Sequence, residues 1–133
     1  MLKVTREIAQ KEVDGWLDYK KIRPSQREAH KEIIETLVEE VSEVTLEIDS
    51  TKFTITHNLL VPIGENDSLK KVEYRARLND NLLEPFMKGV KPSDFISVGL
   101  AYIAALTNVN KGILSRMDSA DMRIAKGIMV FFM

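Results

Sequence analysis

The sequence predicts an α+β fold in one domain, with helices at both ends of the chain and an antiparallel sheet between them. Two changes of period indicate this. Apolar residues recur at helical spacing up to residue 42, alternate with polar residues from 43 to 78, and return to helical spacing from 79. A chain of 133 residues has the usual length of a single domain. We therefore expect a helical pair at 1–42, antiparallel strands at 43–78 and a cluster of about four helices at 79–133.

The first segment predicts two helices that pack as an antiparallel pair. In "TREIAQKEVDGWLDYKK", Ile8, Val13, Trp16 and Leu17 fit one helical face. Pro24 stands where helices begin, and we expect the second helix to run unbroken through "SQREAHKEIIETLVEEVSE". Its apolar stripe consists of Ile33, Ile34, Leu37, Val38 and Val41.

The central segment predicts three antiparallel strands joined by short turns. "EVTLEID", "KFTITH" and "LKKVEYRARL" alternate apolar and polar residues, and "NLLVPI" reads as a buried extended run. "DSTK" and "GENDS" are polar clusters of the kind that form turns. We expect a meander with one buried and one wet face, with Pro62 at an edge or a strand end.

The last segment predicts four helices. "NDNLLEPFMKG" ends at Gly89, and "DFISVGLAYIAALTN" carries its inner face on Phe95 and the apolar residues that follow at helical spacing. "NKGILSRM" is a short helix, and "SADMRIAKGIMVFF" follows Asp118 as a cap, with Asp121 at the third position of a capping box. Phe132 fits the inner stripe of this last helix, whereas Phe131 lies partly off it.

Composition excludes several classes of protein. The chain has no cysteine, which excludes disulfides and thiolate metal sites. Its net charge of −1 argues against a general phosphate binder, so we expect no nucleic-acid partner. No apolar run reaches the length of a membrane span, and the first residues are charged, unlike a signal peptide. We expect a soluble, intracellular protein with no membrane association.

Catalytic patterns are weak in this sequence. His30 lies among charged residues on a helix, where we expect it to be solvated. His57 ends a strand on its apolar face, with no convergent partner nearby in the sequence. The glycines are isolated, and no serine has the surroundings of a nucleophile. We therefore expect no enzymatic activity, no cofactor and no metal site.

A helix–turn–helix remains an alternative interpretation of "LAYIAALTNVNKGILSRM". Asn108 or Asn110 would make its turn in a left-handed conformation. Its second helix is short and offers only Lys111, Ser115 and Arg116 as polar readers of DNA.

The residues from Phe53 to the end resemble the phage tail assembly chaperone family, small proteins encoded between the tail tube and tape measure genes. A strand, "KFTITHNLLVPI", leads to a second strand, "LKKVEYRARL", and a short helix, "DNLLEPFMKGV". The ending "LAYIAALTNVNKGILSRMDSADMRIAKGIMVFF" is similar to that of the family. The family's proline-bearing segment after the second strand is missing from "RARLNDN", and residues 1–45 lie outside the resemblance. The most characteristic positions are Leu106, Thr107, Met117, Asp118 and Asp121.

The resemblance implies a non-enzymatic assembly factor that binds the tape measure protein, with the tail tube protein as a second partner. Another phage or prophage structural protein is the alternative. We expect the helical pair to be too exposed to bury its apolar residues alone, which predicts a homo-oligomer. Apolar residues outside the core would hold a partner helix. The residues predicted to do so are Trp16, Tyr19, Ile33, Leu37, Phe131, Phe132 and Met133.

Overall fold

A computed structural model of the chain describes residues 3–133, and it has the predicted α+β architecture. Three helices come first, a three-stranded sheet follows, and four more helices complete these residues. Short 3₁₀ turns lie at Glu65–Asp67 and Val130–Phe132. The helices are α1 Arg6–Tyr19, α2 Pro24–Ala29, α3 Lys31–Ser42, α4 Asp80–Met87, α5 Phe95–Thr107, α6 Lys111–Leu114 and α7 Ser119–Met129. The strands are β1 Leu46–Ile48, β2 Ile55–Ile63 and β3 Leu69–Tyr74.

The expectation of one unbroken helix after Pro24 is wrong, because the helix is interrupted at His30. The backbone of His30 leaves helical geometry, at φ −114° and ψ 26°, and separates α2 from α3. Its ring packs edge-to-face on Phe131, with 5.7 Å between ring centroids, and is half-buried rather than solvated. This contact with a residue about 100 positions away is invisible to local helix propensity.

The sheet is the predicted antiparallel meander, in the order β1–β2–β3. Between β1 and β2, the Asp49 carboxylate accepts backbone hydrogen bonds from Thr51 and Lys52, at 2.8 and 2.7 Å, which fixes the predicted turn. The pairing of β2 with β3 is regular from Ile55 to Asn58 and becomes irregular between Asn58 and Ile63. The irregular stretch contains Pro62, which cannot donate to a ladder.

Side-chain caps begin the three longer C-terminal helices. Asn79 accepts a hydrogen bond from the backbone of α4, Asp94 from that of α5, and Asp118 from that of α7. Asn108 ends α5 in a left-handed conformation, at φ 55°, as the sequence predicted. The segment after Asn108 turns at once into α6, whose cap is Asn110.

The N-terminal helices bury their apolar residues within their own chain. Trp16, Leu17 and Leu37 are almost fully buried, because α3 packs against α7 and β1 while α1 covers α3. The expectation that these helices need another copy to cover them is therefore wrong. Two residues assigned to inner faces point outward instead: Ile8 is 50% exposed and Phe95 is 83% exposed.

The predicted positions of Phe131 and Phe132, with Phe132 on the inner stripe and Phe131 partly off it, are reversed in the structure. Phe131 is buried, with 7% of its surface exposed, whereas Phe132 is only half-buried. The α-helix ends at Met129, and Val130–Phe132 form a tighter 3₁₀ turn. Because a 3₁₀ turn advances by about 120° per residue instead of about 100°, side chains after Met129 rotate away from the extrapolated stripe.

Candidate partner-binding surface

A polar network that no sequence pattern indicated lies in the core, between the sheet and α7. His57, Tyr74 and Asp121 all have exposed fractions of zero. The Asp121 carboxylate accepts hydrogen bonds from His57 Nε2 at 3.0 Å and from the backbone N–H groups of Leu60 and Val61, at 2.9 and 3.0 Å. The network joins β2, β3 and α7 through side chains separated by up to 64 positions.

The hydrogen bonds determine the tautomer of His57. Because a carboxylate only accepts hydrogen bonds, Nε2 must carry the hydrogen that faces Asp121. Nδ1 of the neutral ring then accepts from the Tyr74 hydroxyl, at 2.8 Å. Burial lowers the pKa of His57 below its usual value, although the Asp121 carboxylate opposes that shift. Burial, reinforced by the Asp121 charge, raises the pKa of Tyr74, so this hydroxyl keeps its proton as a donor.

This network supports the structure and offers no site for a reaction. All three side chains are closed to solvent, so no substrate reaches them. The Asp121 carboxylate replaces ladder partners where the β2–β3 pairing is irregular, since its two oxygens hold the N–H groups of Leu60 and Val61. The predicted capping box therefore does not form at Asp121, because its side chain turns inward to β2.

Three of the residues predicted to bind a partner are buried in the core. Trp16 packs edge-to-face on Phe131, with 5.6 Å between ring centroids, and Leu37 lies at the contact of α3 with α7. The Trp16 indole N–H has no hydrogen-bond acceptor among residues 3–133. Trp16, Leu37 and Phe131 are therefore not accessible to a partner in this conformation, and their role in binding stays a prediction.

Three of the other four are half-buried and lie in separate places. Tyr19 stacks on Phe53 at 4.4 Å, and Ile33 lines a shallow depression of about 230 Å³ between α3 and α7. The Phe132 ring lies under the Lys20 ammonium, 3.4 Å from it. Burial, with the Arg77 charge as a second cause, lowers the pKa of Lys20 to about 8.

Met133 is the only predicted binding residue that is largely exposed, at 67%. It is the last residue of a segment held against α1 by the aromatic contacts of Trp16 with Phe131 and Phe132. The seven predicted residues therefore do not form one continuous apolar surface.

The most exposed apolar side chains lie elsewhere, at the start of α5. Phe95 and Ile96 are 83% and 81% exposed, directly after the capping residue Asp94. Ile96, Leu100 and Ile103 follow helical spacing along a groove between α5 and α7, where Ile96 is exposed, Leu100 is half-buried and Ile103 is buried. We call this the α5–α7 groove.

The opposite side of the α5–α7 groove comes from α7 and the loop before it. Met122 and Lys126 line it from α7, and Met117 lines it from the loop. The groove has a volume of about 340 Å³ and is mainly apolar. Methionine side chains adapt to partners of different shape, which suits a surface that packs against another helix.

The sequence contained a signal for this groove that we interpreted as core. From Phe95 to Leu106, α5 has apolar residues on every side and no charged residue. A helix that is apolar all round is buried or has a partner on its free side. Burial of Ile103 and Leu106 accounts for one side of α5, and Phe95 and Ile96 mark the side that remains open.

Neither metal ligands nor a membrane span is found in the described chain. Residues 3–133 contain no group of three or more His, Cys, Asp or Glu side chains arranged to hold a metal ion. None of the helices in this range is both long and apolar enough to cross a membrane. Comparisons with protein-family models, curated proteins and solved structures found no match.

Proposed function

We propose that this protein is a non-enzymatic assembly chaperone that holds an apolar helix of a partner in the α5–α7 groove. The observation that supports the proposal most directly is the exposure of Phe95 and Ile96 beside a methionine-lined groove. An amphipathic helix binds such a groove by inserting apolar side chains spaced at i, i+3 or i+4 and i+7. On the groove wall, the exposed Ile96 and the half-buried Leu100 are four positions apart and match this spacing, whereas Ile103 is buried.

The resemblance of residues 53–133 to phage tail assembly chaperones suggests which partner this is. The α5–α7 groove lies inside that part of the chain. We propose the tape measure protein as the first partner and the tail tube protein as the second. A long helical protein needs its apolar faces covered until the tube forms around it, because exposed apolar patches aggregate.

The DNA-binding alternative has less support from the geometry. Its second helix would be α6, which contains only the four residues Lys111–Leu114. At 1.5 Å per residue, such a helix is about 6 Å long, less than the several turns that a recognition helix lays in the major groove.

Self-association of the chain stays a prediction, but a different surface now supports it. The N-terminal helices are covered within one chain, so they no longer call for a second copy. The α5–α7 groove and the exposed Leu60 and Val61 on β2 are apolar surfaces on which copies could meet.

Co-expression with fragments of the tape measure protein tests the proposed function. We expect the fragments to stay soluble and to co-purify with the wild-type chain. Ile96→Asp should abolish this, because it places a charge on the groove wall at a site that is 81% exposed and so tolerates the change in the folded chain. Ile8→Asp on α1 is the matched control, since Ile8 is also exposed but lies outside the groove.

If the fragments aggregate with the wild-type chain as they do alone, the chaperone proposal is wrong. Equal loss of binding in Ile8→Asp and Ile96→Asp would also contradict the groove as the binding site. A tail tube gene upstream and a long coiled-coil gene downstream of this gene would support the same assignment independently.

A further inference from the structure

The charges around the α5–α7 groove are distributed unevenly. Residues 85–133 contain six Lys or Arg, three Asp and no Glu, although the whole chain has a net charge of −1. The three aspartates already accept hydrogen bonds within the chain. Asp94 accepts from Ser97, Asp118 accepts from Ala120, and Asp121 is buried in the polar network.

The basic side chains of this segment have no carboxylate partner in the described part of the chain. The ion pairs found within residues 3–133 lie in the N-terminal helices and the core, and none includes a Lys or Arg after residue 84. Five of them are exposed, and Lys111 is half-buried. The six are Lys88, Lys91, Lys111, Arg116, Arg123 and Lys126.

Three of these lysines line a second depression that adjoins the groove. Lys88, Lys91 and Lys111 border a cleft of about 580 Å³ together with the exposed carboxylate of Asp94, so positive groups outnumber negative ones in its lining. We call it the basic cleft. It shares Leu100 and Ser115 with the α5–α7 groove, so the two depressions adjoin at these residues. Lys111 is held in place, because its ammonium donates a hydrogen bond of 2.7 Å to the backbone carbonyl of Phe86.

Lys126 adds positive charge on the other side of the groove. It lines the α7 wall, whereas the three lysines of the basic cleft lie beyond Leu100. A segment lying in the α5–α7 groove is therefore flanked by ammonium groups on both sides. Carboxylates on such a segment would be attracted, and lysines on it would be repelled.

We infer that the partner segment is an acidic amphipathic helix, whose apolar face fills the α5–α7 groove while its Glu or Asp side chains lie over the basic cleft and beside Lys126. This inference rests on the proposed function and specifies the chemistry of its partner. Apolar contacts hold the helix, and the charges select which helices bind and in which direction. Charged groups around an apolar centre act mainly on specificity and on the rate of association.

Two model peptides with identical apolar residues test this inference on the full chain. Both carry Leu, Ile and Met at i, i+4 and i+7 over about five turns, one with Glu at every flanking position and the other with Lys. We expect the Glu peptide to bind at least about tenfold more tightly in low salt. The ratio should fall towards one at about 1 M salt, where charges are screened within about 3 Å.

A pair of charge-reversal variants locates the effect. Lys88→Glu with Lys91→Glu should remove or invert the preference for the Glu peptide, because both residues line the basic cleft. Lys70→Glu with Lys71→Glu makes the same change of charge on exposed positions of β3, and should leave the preference intact. Fluorescence anisotropy of labelled peptides gives the dissociation constants, and circular dichroism checks the fold of each variant.

The outcomes separate this inference from the proposed function. If both peptides bind equally, and Ile96→Asp weakens both, the groove holds a helix but does not select acidic ones, so only the inference fails. If neither peptide binds, both the groove proposal and the inference are wrong. If a DNA duplex displaces the Glu peptide at equal charge concentration, the basic cleft binds polyanions in general, which also overturns the inference.

Discussion

At the scale of single residues, Asp121 is the side chain on which the core depends most. Its carboxylate accepts three hydrogen bonds, from His57, Leu60 and Val61. In Asp121→Asn, an NH2 group replaces one carboxylate oxygen, and this donor then faces another N–H donor. We expect a loss of about 2–4 kcal/mol in the free energy of unfolding, because a buried donor is left without an acceptor and charge-assisted bonds are lost.

Urea denaturation measures the free energy of unfolding of each variant, and Asp118→Asn is the matched control. Asp118 is three positions earlier and caps α7 through one hydrogen bond to Ala120, at 3.0 Å. Asn caps helices about as well as Asp, so we expect a cost of less than about 0.5 kcal/mol. If both variants lose the same free energy of unfolding, the buried network does not stabilise the fold more than a helix cap does.

His57 should make stability depend on pH. Burial lowers its pKa in the folded protein, so the unfolded chain binds more protons as the pH falls below about 6.5. The free energy of unfolding should therefore be largest above that pH and decrease in acid. Each pKa unit of depression corresponds to about 1.4 kcal/mol.

Urea denaturation between pH 7.5 and 5 measures this dependence. Burial also raises the pKa values of Glu12 and Glu40, so the informative quantity is the difference from His57→Gln. The Gln amide can still donate a hydrogen bond to Asp121, but it takes up no proton in this range. That variant should lose the part of the acid slope that His57 contributes, and an unchanged slope in His57→Gln would contradict the assignment.

At the scale of elements, the 3₁₀ turn after α7 reverses the roles of two neighbouring phenylalanines. Phe131→Ala should cost about 3–5 kcal/mol, because it empties a buried site beside Trp16 and His30. Phe132→Ala should cost roughly 1–2 kcal/mol, since it removes half-buried area and the contact with Lys20. Thermal or urea unfolding compares the stability of the two variants. A larger loss of stability in Phe132→Ala would support the inner face predicted from the sequence, with Phe132 in the core.

Elements set by local chemistry were predictable, and those set by distant contacts were not. The change of period at Ser42, the Asp49 turn and the left-handed Asn108 all follow from residues within a few positions, and the structure has each of them. The helical periodicity around His30 encodes neither the break there nor the contact of the His30 ring with Phe131, far along the chain. The rotation of Phe131 follows from a change of helix type that the apolar stripe does not encode.

At the scale of the whole molecule, the candidate binding surface was the least predictable feature. Apolar spacing identifies residues that leave water, but it does not distinguish a face covered by the same chain from a face left for a partner. Trp16 and Leu37 were assigned outward and are core, whereas Phe95 was assigned inward and is exposed. Leu37 is covered because α3 packs against β1 and α7, and Trp16 is covered by Phe131 and Phe132.

The docking of the two chain ends on one core predicts how the molecule unfolds. Trp16 is the only tryptophan, and its ring contacts Phe131 and Phe132 at the other end of the chain. One continuous apolar core also includes residues of the sheet and of α5, such as Leu46 and Leu106. We therefore expect a single cooperative transition, in agreement with the single domain predicted from the sequence.

Two probes followed through the same urea titration test this expectation. Tryptophan fluorescence reports the contact between α1 and the C-terminal turn, and far-ultraviolet circular dichroism reports all helices together. We expect coincident midpoints, and Phe132→Ala should lower both by the same amount, because the longer helices and the sheet contribute to one core. A fluorescence midpoint at lower urea would mean that the C-terminal turn detaches before the rest unfolds. Trp16 would then become accessible in a partly open state. It would be unavailable to a partner only while the C-terminal turn stays docked.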